Sequence, residues 1–308
     1  MIIVQPIMQL LFLNKLLSIL VLCCITMTTS LSPPNEIRVA FLGNSILYFN
    51  DCPRLVEHML KTNFSKVHQD SCLRGGASLP SLWKDGNGMR SQFGHSENAK
   101  KDDGSVDIGA ATVQELLQQN WHIVVMNDYT QAPVRPETRL ATMEALDQLY
   151  GPLLQSTIPI FLQTVAYRKP VIKGTDDLGT VAEFTTRLKE GYNYYAKTLE
   201  KHTDDVRIAP AGEAFLWVNE HNEELWNQLF YIDDFHPSPH GTWLEACVLY
   251  CTMVGEAPPI FRPEWFETAR YMQPPKEEQL PLPSAEEAEE LRKTACVVCG
   301  ISLQCKAV

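Results

Sequence analysis

A serine hydroxyl is a poor nucleophile at neutral pH and needs a neighbouring base before it can attack an acyl carbon. The sequence offers such a set. Asp233-Asp234-Phe235-His236-Pro237-Ser238 places a carboxylate three residues ahead of an imidazole, so that both side chains can converge on one turn. Asp233 would fix the imidazole tautomer and stabilise the imidazolium that forms during transfer. Asp234 competes for that role, although it would more naturally point away. Gly43-Asn44-Ser45 closes an apolar run and supplies the hydroxyl. Gly75-Gly76 follows a second expected strand, and Asn127-Asp128 closes a further apolar run. The Ser45 amide, the Gly76 amide and the Asn127 side chain would then hold a developing oxyanion, and glycine suits position 76 because backbone must approach substrate closely. Each residue also has a plain alternative. Gly-Asn-Ser is good turn chemistry, Asn127 could cap a strand–loop turn, and Asp233 could be the N-cap of the last helix.

The elements that must carry these residues are read from apolar periodicity. Strands are expected at Ile37–Leu42, Lys66–Cys72, His122–Met126, Ile158–Thr164 and Val206–Ala209. Helices are expected at Pro53–Phe64, Ala111–Gln119, Glu137–Leu154, Val181–His202 and Pro239–Val254, the last started by Pro237 and Pro239. Trp83–Val106 reads as a long polar loop. Strands separated by helices imply an α/β fold, a three-layer α/β/α sandwich with a central parallel sheet. In such sheets chemistry gathers in the loops leaving the carboxyl ends of strands, and Ser45, Gly76 and Asn127 stand there.

In this order the four blocks resemble the SGNH (GDSL-like) serine hydrolases, whose name comes from blocks contributing Ser, Gly, Asn and His. Gly43-Asn44-Ser45 is similar to the first block, with Asn44 where the commonest version has Asp. Gly76 matches the glycine block and Asn127 the asparagine block, with Val125 in place of the usual glycine. Asp233 to His236-Pro237 matches the last, and most specific, block. The resemblance runs from about Ile37 to Val254. It implies a flavodoxin-like fold and a cofactor-free esterase with an acyl-enzyme on Ser45 and His236 as base. Its substrates would be small-molecule or carbohydrate esters, with acetyl groups among the candidates, while lipid esters and thioesters stay open. The alternatives are an acyltransferase on the same fold and a catalytically silent binding protein.

Other candidates carry less. Gly94-His95-Ser96-Glu97-Asn98 lacks the second glycine of a nucleophile elbow and sits in polar sequence. His240 is a second imidazole near the site, expected to face solvent. Tyr192, Tyr194 and Tyr195 read as a helix packing face, and Cys247 and Cys251 as core thiols or disulfide partners elsewhere. Asn63-Phe64-Ser65 is a glycosylation acceptor sequence.

The chain has 308 residues, 45% hydrophobic and 20% charged, enough for one domain with a sizeable core. Its net charge of −11, with no basic stripe, argues against nucleic acid as a partner. Lys15 followed by apolar Leu16–Met27 and then Thr28-Thr29-Ser30 reads as a secretory signal cleaved near Ser30. Uncut, Ile2–Met27 would be long enough to anchor the chain in a membrane; on either reading the body is expected in the secretory pathway or outside the cell. The division expected is 1–30 leader or anchor, 31–275 hydrolase-like domain, and 276–308 a polar, Cys-containing tail that is solvated or loosely docked. Seven cysteines lie beyond the leader, and an oxidising compartment would pair some of them. The expected pairs lie among Cys296, Cys299 and Cys305, or between these and Cys52 or Cys72. Cys296-Val297-Val298-Cys299 without a second such pair is a weak zinc signal, and no metal is expected.

Overall fold

The computed structural model describes residues 35–84, 112–169, 175–267 and 280–302. In it the first apolar run becomes strand β1 (Glu36–Gly43). A one-turn helix, α1 (Ser45–Tyr48), follows at once, capped by Asn44. Helix α2 (Cys52–Leu60) starts on Asp51, whose carboxylate accepts from the Arg54 amide, with proline in the first turn. Next come β2 (Lys66–Leu73), α3 (Leu79–Lys84) and α4 (Val113–Leu117), the last opened by a Thr112–Glu115 capping box. Then follow β3 (Ile123–Met126), α5 (Pro136–Ala145), β4 (Ile158–Leu162) and α6 (Val181–Leu199). The chain continues through β5 (Arg207–Ala209), α7 (Ala211–His221), α8 (Glu223–Gln228) and α9 (Pro239–Val254), and ends in α10 (Glu264–Glu267) and α11 (Ala285–Val298).

All five strands are parallel, in the order β2-β1-β3-β4-β5. Alternate residues serve opposite faces, as the two-residue strand period requires. Val39, Phe41, Val125 and Ile160 pack against α2, α7, α9 and α11. Ala40, Leu42, Val124 and Phe161 pack against α3 to α6. This is the expected three-layer α/β/α sandwich. The strand order reverses direction between β1 and β3, and crevices for ligands open at that point. Register brings the loops together there, because Leu42 pairs with both Cys72 and Met126.

The elements depart from expectation in four places. The helix expected to reach Leu154 ends its α-helical part at Ala145. A π turn (Leu146–Tyr150) and a 3-10 turn (Gly151–Leu153) follow, since Pro152 lacks the amide a continued helix needs. Helices α1, α3, α7, α8 and α10 were not expected. The tail is not loosely docked: α11 buries Ala288, Leu291, Ala295 and Cys296 against α9, and the Trp243 indole donates to the Ala288 carbonyl at 2.9 Å. Its acidic residues occupy the outward face of an amphipathic helix. Finally, no disulfide links the six described cysteines to one another; Cys299 is half-buried and the others are buried, and Cys305 lies outside the described residues. Cys247 and Cys251 on α9 lie near Cys296 of α11 and Cys299, the residue that ends it, and Cys251 is hydrogen-bonded to Cys299.

No described helix is long and apolar enough to cross a membrane, and no described group of three or more His, Cys, Asp or Glu side chains could hold a metal. The leader expected at 1–30, the Gly94–Asn98 segment and most of the Trp83–Val106 loop lie outside the described residues; Trp83 and Lys84 belong to α3.

Candidate active site

Ser45 is the first residue of α1, and the turn that presents it is built by close approach. A Cβ on Gly43 would lie 1.7 Å from the Asn127 Oδ1, so no larger residue fits at the end of β1. Asn44 then spans three partners. Its backbone amide donates to Asn127 Oδ1 at 3.1 Å, its Nδ2 to the Ala77 carbonyl at 2.8 Å, and its Oδ1 accepts from the Ile46 amide at 3.1 Å. The loops after β1, β2 and β3 are thereby tied into one platform. The Tyr48 phenol, one turn on, is hydrogen-bonded to the Ser45 side chain, while burial pushes its pKa up.

The imidazole comes from the turn before α9. Phe230 and Pro237 form an antiparallel bridge, and the Tyr231 amide donates to the His236 carbonyl at 2.8 Å, closing a short hairpin. Inside it, Asp233 Oδ2 lies 2.6 Å from His236 Nδ1, and Asp233 Oδ1 accepts the amides of His236 and Phe235. Burial would raise the Asp233 pKa, but these hydrogen bonds to the charged form outweigh it and hold the carboxyl below its usual range. An ionised Asp233 keeps a proton on Nδ1 and leaves Nε2 to act as base. Asp234 does point away. It sits in the left-handed region at φ 65° and forms an ion pair with Arg168, which also donates to the Asn227 carbonyl at 2.7 Å. Ser238 caps α9 by accepting from the amides of His240 and Gly241. Asp233 is therefore not the cap of the last helix.

Asn44, Ser45, Ile46, Gly76, Tyr129, Thr130, Tyr167, Phe235 and His236 line one cleft of about 260 Å³. The hydroxyl, the glycine and the imidazole expected from sequence thus share a single cavity. Gly76 holds φ 66°, the left-handed conformation that needs glycine, and no described residue accepts the amide of Ser45 or Gly76. Both amides remain available to an oxyanion.

Asn127 is brought to the site's base but not to its surface. It is fully buried, and its Nδ2 donates to Asn44 Oδ1 at 2.8 Å and to the Asp128 carbonyl at 3.3 Å. Both amide hydrogens are used, so the expected third oxyanion donor instead locks the turn that presents Ser45. Asp128 is buried beside it and accepts from the Leu79 and Tyr129 amides, the Thr142 hydroxyl and the Tyr195 phenol. Burial raises its pKa despite these partners. Tyr192 and Tyr195 are buried packing residues, as expected, while exposed Tyr194 lies under the Arg139 guanidinium. His240 departs from expectation: it is buried, and its Nε2 meets Glu287 of α11 at 3.4 Å, because α11 covers the face that would otherwise be wet.

Tyr129, Thr130, Tyr167 and Phe235, which wall the cleft, were missed as site residues. Tyr129 and Thr130 follow β3 directly, and that position was the available signal; Tyr167 lies five residues past β4 and offered none.

No family model matches the sequence, and no curated protein matches it. Solved structures do. A protein of Slackia heliotrinireducens assigned to the SGNH hydrolases aligns with a TM-score of 0.49 and 24% identity, over 71% of this chain and 99% of that one. A DUF4886 family protein from Bacteroides uniformis aligns with a TM-score of 0.54 and 13% identity, over 87% of this chain and 97% of the other. The second is a likeness of fold, and the chain has the three-layer α/β/α architecture with a central parallel sheet that was expected.

Proposed function

We propose that the protein is a serine esterase of the SGNH type. Ser45 is the nucleophile, His236 the general base, Asp233 the group that orients it, and the amides of Ser45 and Gly76 the oxyanion donors. The observation that carries this reading is the 2.6 Å Asp233–His236 contact within a cleft that Ser45 also lines. In the first half-reaction Ser45 Oγ bonds to the acyl carbon while His236 Nε2 takes its proton. His236 then returns that proton to the departing alcohol. Water, deprotonated by the same nitrogen, releases the acid and frees Ser45. Ile46, Tyr129, Tyr167 and Phe235 give the cleft an apolar lining, and its small volume suits a short acyl group. Export by the 1–30 leader, with the body on the far side of the membrane, is part of the same proposal and rests on Leu16–Met27 alone.

The test is labelling with a fluorophosphonate followed by peptide mapping, then a panel of acyl esters of increasing chain length. We expect a single adduct on Ser45, abolished by denaturation, and the fastest turnover with the shortest acyl groups. An adduct elsewhere, or none in folded protein that hydrolyses esters, would refute the assignment.

A further inference from the structure

Between α1 and α2 the chain turns through two adjacent non-glycine residues in the left-handed region, Asn50 (φ 48°, ψ 20°) and Asp51 (φ 56°, ψ 55°). Asparagine and aspartate tolerate that region better than other residues with a Cβ, but two in succession, both buried, are held there by their surroundings. The result of the turn is specific. The Phe49 ring stacks on the His236 imidazole with centroids 3.9 Å apart and planes 4° from parallel. The Asn50 Nδ2 donates to the Pro237 carbonyl at 3.0 Å and to the Thr242 hydroxyl at 2.9 Å, and Thr242 in turn donates to the Phe49 carbonyl at 3.4 Å. Phe235 lies at the same 3.9 Å from the imidazole but tilted by 41°, and it belongs to the histidine's own turn.

Asp233 holds His236 through one ring nitrogen. A single hydrogen bond leaves the ring free to tilt about that contact, and nothing in it sets the distance to Ser45. We propose that Phe49 and Asn50 are positioning residues for His236, bracing the imidazole and its turn against the same short segment, 45–50, that carries Ser45. This rests on reading Ser45 and His236 as nucleophile and base. The ring face of Phe49 removes the tilt, and the Asn50 amide fixes the backbone immediately after the imidazole. Nucleophile and base then move as one body although 191 positions separate them in the chain (236 − 45). Rate falls steeply with small misplacements of reacting groups, so such a brace acts on turnover and little on ground-state affinity.

The experiment compares four purified full-length variants with wild type on p-nitrophenyl acetate. Ser45→Ala tests the underlying reading: if it keeps turnover, that reading fails whatever the others do. Asn50→Gly removes the amide while glycine adopts the left-handed turn freely. Phe49→Leu removes the stacking ring and keeps apolar bulk, and it decides the matter if Asn50→Gly does not fold. Asn222→Gly is the control for stability. It removes an asparagine cap from α8, where Asn222 accepts from the Leu225 amide at 3.1 Å. We expect kcat to fall about 10–100-fold in Asn50→Gly and Phe49→Leu with KM held within about twofold, and Asn222→Gly to keep kcat. Retention of kcat in both site variants would overturn the proposal. So would a loss of turnover that Asn222→Gly shares, or a rise in KM at constant kcat.

Discussion

At the scale of single residues, the two aspartates of Asp233-Asp234 have separate duties, and substitution should separate them. Asp233→Asn keeps the shape of the turn but exchanges an acceptor facing Nδ1 for an amide, which favours the wrong imidazole tautomer. We expect turnover to fall about 10⁴-fold, comparable to Ser45→Ala and His236→Ala, in steady-state assays with a good ester. Asp234→Asn should leave turnover near wild type, since asparagine tolerates φ 65°. It should cost roughly 1–3 kcal/mol of stability by leaving the Arg168 guanidinium short of its partner, read from denaturant unfolding. The reverse order would transfer the orienting role to Asp234. Asn127→Ala divides the two roles for that amide. An oxyanion donor would lower kcat by about 10²–10³ without harming the fold. A lock on Asn44 would lower stability as well, because Asn44 Oδ1 and its backbone amide lose buried partners. We expect both losses together, in kinetics and in thermal unfolding of one preparation.

At the scale of elements, the last helix is the most constrained. Helix α9 is buried over nearly its whole length, which is why its apolar residues show no single face. Glu245 lies in its middle, with both carboxylate oxygens lacking a hydrogen-bond partner among the described residues. Burial pushes its pKa well above the usual carboxylate value. The folded state therefore binds a proton that the unfolded chain releases above its ordinary pKa. Glu245 consequently favours the fold at low pH, and that contribution is lost as pH rises from the unfolded value towards the folded one. Glu245→Gln removes this dependence. We expect its stability to match wild type near pH 4 and to exceed it increasingly as pH rises above the usual carboxylate pKa, by about 1.4 kcal/mol per pH unit until the folded-state carboxyl itself titrates. A constant difference across pH would show that Glu245 does not titrate on unfolding. Helix α11 makes a simpler claim. Leu291 is fully buried against α9 and its neighbours, so Leu291→Ala should cost about 2–5 kcal/mol by denaturant unfolding. A loosely docked tail would lose almost nothing.

At the scale of the molecule, the proposed site sits where the strand order of the parallel sheet reverses. β1 and β3 are neighbours in the sheet, and their following loops diverge to opposite layers, leaving a crevice at their carboxyl ends. Helix α9 packs on the layer beneath and delivers His236 across that crevice. Cys52, Cys72, Cys247, Cys251 and Cys296 are buried, so alkylation of native protein should be slow at all five and faster after unfolding. Mass spectrometry before and after denaturant reads this directly, and rapid native labelling at those five would contradict the packing. The same instrument addresses the leader. Protein purified from its native host should begin near Leu31, and an N-terminus at Met1 on protein recovered from the cytosol would remove the proposal of export.

What the amino-acid sequence determined by itself was whatever depends on neighbours in the chain. The central strands at Ile37, His122 and Ile158 were legible because a buried parallel strand is a short apolar stretch between turn residues, whereas the edge strands at Lys66 and Val206 are partly exposed and carry polar residues. The Pro239–Val254 helix was legible to the residue because Ser238 caps it, prolines start it and Gly255 ends it in the left-handed region. The Asp233–His236 pair was legible because three residues span one turn. Tertiary structure alone decided which groups the long-range contacts consume. The Asn127 amide matches an oxyanion donor in type and position, yet it is spent on Asn44, 83 residues away in the chain. His240 is a polar residue on a helix, and only the docking of α11 makes it buried. The acidic tail reads as solvated because its charges outnumber its apolar positions, although four buried apolar residues at helical spacing are enough to dock it. Phe49 and Asn50 sit in an ordinary turn sequence, and their meeting with His236 exists only because the sheet brings the two ends of the domain together. Burial and hydrogen-bond satisfaction are properties of the assembled layers, and no local pattern encodes them.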